Sequence, residues 1–242
     1  MCIAILNTTG TLDFELFINC WENNPDGAGM AYVLNNEVVI QKEMDSVEDF
    51  YINYCDIREQ TELPMIVHFR VATSGIIDEA NCHPFEVFPG LAVAHNGILN
   101  HIDPTPGISD TRVFNEQILS RLPRDFMYNE GISQLLSVFL EDSKMVFIDK
   151  FGMFNIINEH LGHWDEKRLN WFSNYSYLQS QCYTFPKKTQ LPLSKQYNKR
   201  QMEYCEGCDT YVDFAKMDYS RAFGVSLCRN CLEWYDDYTV HH

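Results

Sequence analysis

Cys2 is the residue of this chain whose type and place most readily support nucleophilic chemistry. Once Met1 is removed, the small Cys2 becomes the N-terminus and carries a thiol and a free α-amine on one Cα. A thiol of ordinary pKa ~8.5 then stands beside an amine of ordinary pKa ~7.7–8.0, so a proton can pass between them near neutral pH. An amine that replaces the histidine of a triad is a known variant of acyl-transfer chemistry. The first residues do not decide the matter alone. Cys2-Ile3-Ala4-Ile5-Leu6 is also an apolar strand, and cysteine in such a strand commonly packs as a small hydrophobe.

Further candidates follow in His68–Gly75, Cys82–Phe85, Ala94–Ile98 and Ser109–Thr111. Each has an ordinary structural explanation. Arg70 could pair with a carboxylate at a strand end, and Asn96-Gly97 is a common hairpin-turn dipeptide. Asp110 could cap a helix together with Ser109. His68 and His83 could be satisfied core or turn histidines. The cysteine spacing near the C-terminus is more specific. Cys205-x2-Cys208 and Cys228-x2-Cys231 are nineteen residues apart, which is the pattern of a tetrahedral four-thiolate zinc site. With all four ligands from protein, that zinc is expected to be structural.

Composition narrows the classes. A net charge of -16 argues against bulk attraction to nucleic acid or to an anionic membrane surface. No apolar run approaches the ~20 residues of a membrane span, and the N-terminus lacks the basic region of a signal peptide. Nine cysteines in such a chain read as thiols and metal ligands, so a cytoplasmic setting is expected.

The elements that must position these residues are partly legible. Phe14, Phe17, Ile18 and Trp21 have helical spacing, and Gly29–Leu34 with Glu37–Lys42 reads as a hairpin across Asn35-Asn36. Ser46 with Asp49 resembles a capping box opening a helix through Tyr54 and Ile57. Pro64–Arg70 and Leu91–His95 are short apolar runs of buried-strand type. A helix capped at Ser109 or Asp110 carries Phe114, Ile118 and Leu122. A second follows with Ile132, Leu135, Leu136, Phe139 and Leu140 in a stripe. Met145–Lys150 and Met153–Asn158 read as a hairpin around Gly152, and Leu169–Tyr175 as a further strand. Strands, a helix pair and strands again predict an α+β layered domain. Pro186–Arg200 holds five basic residues, no acid and two prolines, and reads as a linker. The expected division is therefore a main domain over 2–183, a linker over 184–202 and a zinc ribbon over 203–238. The ribbon, with eight acids against three bases from Glu203 to Asp237, suits a protein partner better than nucleic acid, although the basic linker leaves nucleic acid as a less favoured option.

Taken together, Cys2, Asp26-Gly27-Ala28-Gly29, His68–Gly75, Cys82-His83-Pro84-Phe85, Ala94–Ile98 and Ser109-Asp110-Thr111 resemble the class II glutamine amidotransferases. The resemblance covers roughly residues 2 to 180. It implies the four-layer αββα sandwich of N-terminal nucleophile hydrolases. It implies Cys2 as nucleophile, Asn96 and Gly97 as oxyanion donors, and Arg70 and Asp110 as partners of the α-carboxylate and α-ammonium of glutamine. Thr73 would lie near the carboxylate and His83 would line the pocket. Such a set suits a zwitterion, which needs a cation, an anion and an electrophilic site for its amide. Family members carry His at the position of Ser74 and Trp at that of Val71, so closure of the glutamine loop should differ here. The implied activity is hydrolysis of the glutamine side-chain amide through a Cys2 γ-glutamyl thioester, with ammonia passed to an acceptor. Only about sixty residues follow the main domain, with no phosphate-cradling or dinucleotide motif. A separate synthase, docked through the ribbon or the sheet domain, is the expected acceptor, and no organic cofactor is expected. The alternatives are an N-terminal-cysteine hydrolase of another amide, which would not need the Arg70 and Asp110 pair, and a non-catalytic binding protein on the same fold.

Overall fold

The structure is a computed structural model. It describes residues 2–103 and 105–178 and, beyond them, four strands at 202–205, 210–213, 217–220 and 225–228 with the side chains of Cys205 and Cys228. The chain divides into two compact units, Met1–Gln181 and Cys182–His242.

The first unit is built on two antiparallel sheets. Strands β1 (Ile3–Asn7), β2 (Ala28–Leu34), β3 (Glu37–Glu43), β4 (Met65–Phe69), β9 (His163–Trp164) and β10 (Asn170–Phe172) form one, in the order β3-β2-β4-β1-β10-β9. The other has the order β5-β6-β7-β8, from β5 (Phe85–Phe88), β6 (Leu91–Asn96), β7 (Lys144–Asp149) and β8 (Phe154–Ile157). The central strands β1, β4, β6 and β7 are buried along their whole length, and apolar residues therefore dominate both of their faces. In β1, Ile3 and Ile5 belong to one core, while the alternate residues Ala4 and Leu6 belong to another.

Three cores follow from this alternation. Helices α1 (Phe14–Asn23) and α2 (Val47–Arg58) cover one face of the six-stranded sheet around Phe17, whose ring lies 4.9 Å from Tyr54, 5.5 Å from Phe50 and 5.4 Å from Phe69. Removing such a buried ring costs about 3–5 kcal/mol, so Phe17→Ala would be among the most damaging changes here. Helices α3 (Asp110–Gln117) and α4 (Glu130–Leu140) cover the four-stranded sheet through Phe114, Leu136 and Leu140. In the third core, Ala4, Ala31, Ala92 and Ala94 join Leu6, Ile66, Val146, Ile148 and Trp171, residues of both sheets. The small alanines let the two sheets approach closely.

Capping follows the expected chemistry at three of the four α-helices among the described residues. The Ser46 hydroxyl accepts from the Asp49 amide at 3.1 Å, Ser109 from that of Arg112 at 3.3 Å, and Asn129 from that of Ile132 at 3.1 Å. At α1, Asp13 makes no such bond. Helix α3 is shorter than its apolar spacing predicts. It ends at Gln117, and Leu119–Arg121 continues as a 3-10 turn, leaving Ile118 and Leu122 outside the helix. In α4 the stripe is real, but Leu135 is 72% exposed. Adjacent residues on a helix diverge by 100°, and Leu136 takes the inward position. The strand expected over Leu169–Tyr175 shortens to β10, because Ser173 and Asn174 turn their side chains to the start of β1. Strands β5 and β9 carry no readable signal in the sequence. Two-residue β9 has no period, and β5 is short and irregular, its pairing with β6 shifting register between Glu86 and Phe88.

In the second unit, β11 (Met202–Cys205) pairs with β12 (Thr210–Asp213), and β13 (Met217–Ser220) with β14 (Val225–Cys228), both antiparallel. Cys205 and Cys228 are buried, and the Cys228 amide donates to the Cys205 sulfur at 3.1 Å. The basic linker and the cysteines Cys208 and Cys231 lie outside the described residues. Among the described residues no helix is long and apolar enough to cross a membrane.

Candidate active site

Strand register brings Cys2 to Arg70 and Val71. Ile3 pairs with Phe69 and Ala4 with His68, so the residues just beyond the β1–β4 ladder are neighbours. The Cys2 thiol lies 3.3 Å from both the amide and the carbonyl of Val71. Its carbonyl accepts from the side-chain amides of Asn96 and, at 2.8 Å, Asn174. Burial pushes the Cys2 thiol above its ordinary pKa, against the opposing pull of the Val71 amide and the Arg70 charge. A buried, protonated thiol needs a base in contact with it to become a nucleophile.

Arg70 is almost fully buried, and its guanidinium donates to Ile76 O at 3.0 Å and Ser74 O at 3.1 Å. The 25–27 turn holds it from behind. The Arg70 amide donates to Gly27 O at 2.8 Å, its carbonyl accepts from the Asp26 amide at 2.9 Å, and Asp26 accepts from the Ala72 amide at 2.8 Å. Asp110, first residue of α3, accepts from the Ser74 hydroxyl at 2.9 Å, the Thr111 amide at 2.8 Å and the Leu99 amide at 2.8 Å. One carboxylate thus joins the loop after β4, the loop after β6 and the start of α3.

Gly97 is required by its backbone. Its φ is +141°, and a Cβ would lie 2.0 Å from Ser143 Oγ and 2.8 Å from Ser143 Cα. The same Ser143 hydroxyl accepts from the Ile98 amide and donates to its carbonyl, each at 3.1 Å. Three histidines meet nearby. His68 Nε2 and His83 Nδ1 are 3.0 Å apart, and both approach the carbonyl of His95, at 3.1 and 3.0 Å. His95 Nδ1 lies 2.7 Å from the Thr111 hydroxyl. Burial drives all three imidazoles to the neutral form, His68 to about 3, His95 to about 4 and His83 well below the usual range.

Cys2, Arg70, Thr73, His83, Gly97 and Asp110 line a single cavity of about 20 Å³, together with Val71, Ser74, His95, Ser109 and Thr111. That volume holds roughly one water, so an amino-acid-sized ligand requires the cavity lining to open. Asn96 borders the site through its bond to Cys2, its donor directed at the Cys2 carbonyl and its Oδ1 buried without a partner among the described residues. Cys205 and Cys228 belong to the other unit.

Residue types alone do not single out three participants. Asn174 gives no signal, being one asparagine 172 positions from its partner. Ser143 becomes visible only through Gly97. Asn81 stands immediately before Cys82-His83 yet is buried and bonded to two segments beside the site, 76–78 and 107–109. A larger, open concavity of about 560 Å³ is lined by Glu159, His160, Gly162, His163, Trp164, Asp165 and Arg168, and contains none of the residues above.

No family model matches the chain. It is 36% identical over 77 residues to the glutamine–fructose-6-phosphate aminotransferase (isomerizing) of Chlamydia pneumoniae, covering 31% of this chain and 12% of that protein. The chain thus spans about an eighth of the curated relative it matches. Among solved structures it is similar to glutamine phosphoribosylpyrophosphate amidotransferase from B. subtilis, complexed with ADP and GMP, with 14% identity and a TM-score of 0.43, covering 71% of this chain and 41% of that one. It is also similar to a glutamine aminotransferase class-II domain protein from Silicibacter pomeroyi, with 14% identity and a TM-score of 0.39, covering 71% and 87%.

Proposed function

We propose that the chain hydrolyses the side-chain amide of glutamine, with Cys2 as an N-terminal nucleophile, and supplies ammonia to an acceptor on a separate protein. The observation that carries this is the convergence of Cys2, Arg70 and Asp110 on one cavity. A thiol, a planar cation and a carboxylate are what an amide-bearing zwitterion needs. The local similarity to a glutamine-using aminotransferase supports the same reading. So does the order of the cores, helices on sheet on sheet on helices, which suits the αββα sandwich of N-terminal nucleophile hydrolases.

In the proposed mechanism, removal of Met1 frees the α-amine, which takes the Cys2 proton. The thiolate attacks the amide carbon of glutamine. The Asn96 side chain and the Gly97 amide stabilise the oxyanion, donors of a kind worth about 2.7–4 kcal/mol each. For this, Asn96 must exchange the Cys2 carbonyl for the substrate oxygen. The ammonium on Cys2 protonates the leaving ammonia, a γ-glutamyl thioester remains, and the amine then activates water to release glutamate. Arg70 holds the α-carboxylate with Thr73 beside it, Asp110 holds the α-ammonium, and neutral His83 lines the pocket as a hydrogen-bonding wall. Cys205, Cys208, Cys228 and Cys231 are proposed to hold a structural zinc. Burial of Cys205 and Cys228, and the amide donated to the Cys205 sulfur, suit that chemistry. The ribbon so formed, or the sheet domain, would dock the acceptor in a cytoplasmic setting.

The test is substrate selectivity. Glutamine should be hydrolysed, while N-acetylglutamine and glutamine α-amide, each lacking one charge, should lose at least about a hundredfold in kcat/KM, since loss of a buried ion-pair partner costs about 3 kcal/mol or more. Equal turnover of all three would favour an amide hydrolase of another specificity.

A further inference from the structure

We infer that Asn81 is a positioning residue that locks the two halves of the substrate clamp together. This deepens the glutamine reading and rests on it. Asn81 is fully buried, and its side chain reaches four groups. Nδ2 donates to Asp78 Oδ1 at 2.7 Å, Gly107 O at 2.9 Å and Ile76 O at 3.3 Å, and Oδ1 accepts from the Ser109 amide at 2.8 Å. Ile76 O is the carbonyl that Arg70 Nη1 also binds, and Ser109 directly precedes Asp110. This amide therefore adds a second tie, at the Ile76 end, to the one that the Ser74 hydroxyl makes between the cation's loop and the carboxylate's helix.

The chemistry requires an asparagine. The position needs an acceptor for a backbone amide and two hydrogens for the carbonyls and carboxylate around it. Aspartate would keep the acceptor, lose both donors and set a second carboxylate against Asp78. The segments it joins have little freedom of their own. Gly75 approaches so closely that a Cβ there would lie 2.7 Å from the Ser109 amide. Without Asn81 the Ser74 end of the loop stays anchored to Asp110, while the Ile76 end keeps only its long amide bond to Gly107 O, at 3.4 Å, and loosens from Ser109. Arg70 and Asp110 then no longer hold the fixed separation that a zwitterion reads. Asn81 lies outside the lining of the cavity and has no role in bond breaking, so its loss should weaken binding and leave the thiol intact.

The test uses the full-length protein and compares two labels of Cys2. A diazo-ketone analogue of glutamine requires the clamp, whereas iodoacetamide requires only the thiol. In Asn81→Ala, the rate of labelling by the analogue should fall at least about tenfold and glutamine KM rise similarly, with kcat within about threefold, the signature of lost ground-state binding. Iodoacetamide labelling should stay within about twofold of the unsubstituted protein. Asp78→Asn, which keeps the acceptor for Asn81, should behave as the unsubstituted protein does. Asn81→Ser, which offers the Ser109 amide an acceptor but is too short for Ile76 and Gly107, should repeat the Asn81→Ala result. Unchanged analogue labelling, or parallel loss of both labels, would overturn the inference. Failure of both Asn81 variants to fold would also overturn it, since the side chain would then hold up the domain rather than the clamp. Absence of analogue labelling in the unsubstituted protein would instead refute the glutamine reading.

Discussion

The Cys2 thiol is held between the amide and carbonyl of Val71, and burial raises its pKa; in the proposed mechanism a base on the same residue activates it. Cys2→Ala should therefore abolish glutamine hydrolysis while the melting temperature stays within a few degrees, since only one sulfur atom is removed. Residual turnover near the original rate would place the nucleophile elsewhere. The three buried histidines make a separate prediction. In the unfolded chain each takes up a proton as pH falls through about 6.5. In the folded protein His95 does so only at about 4 and His68 at about 3, because burial disfavours the charge. Stability is thus greatest above pH ~6.5 and falls on acidification, by ~1.4 kcal/mol per pH unit for each independently titrating histidine. Calorimetry should show the melting temperature dropping from pH ~7.5 to pH ~5, a window that spans the unfolded-state titration, and a flat profile would mean that the imidazoles are charged where they lie.

At the level of elements, turns and caps fix where the site residues stand. Gly97→Ala forces a side chain into Ser143 at a left-handed φ. It should lower stability by at least about 1–3 kcal/mol, the cost of such strain, and hydrolysis with it. Ser46→Ala removes the cap of α2, which is not among the elements lining the cavity. It should cost ~1 kcal/mol of stability and leave kcat/KM unchanged, as denaturant titration and steady-state kinetics would show. The same contrast explains what could be read in advance. The β2–β3 hairpin, α2 with its Ser46 cap, and β6 as far as His95 were legible, because period and turn chemistry are local. The C-terminal end of α3 and the outward Leu135 were not, since they depend on which face meets the sheet. Cys2, Arg70 and Asp110 were recognisable as chemistry-bearing types. The order that Ser74, Asn81, Ser143 and Asn174 impose on them arises from contacts between segments distant in sequence, which no local pattern carries.

For the whole molecule, the proposed division of labour separates chemistry from docking. Cys2 and its cavity lie in the unit Met1–Gln181, whereas the paired cysteines lie in Cys182–His242. The purified protein should contain one zinc per chain, and stripping it with a mercurial and a chelator should leave hydrolysis by the remaining protein within about twofold, as expected of a structural four-cysteine site in another unit. Absence of zinc by elemental analysis would remove the ribbon from the proposal. The most direct test of the central claim is the intact mass of the protein before and after incubation with a diazo-ketone analogue of glutamine, with peptide mapping of the adduct. Loss of Met1 together with one adduct on Cys2 is the expected result. Retention of Met1 without labelling, or an adduct on any other cysteine, would contradict an N-terminal nucleophile that acts on glutamine.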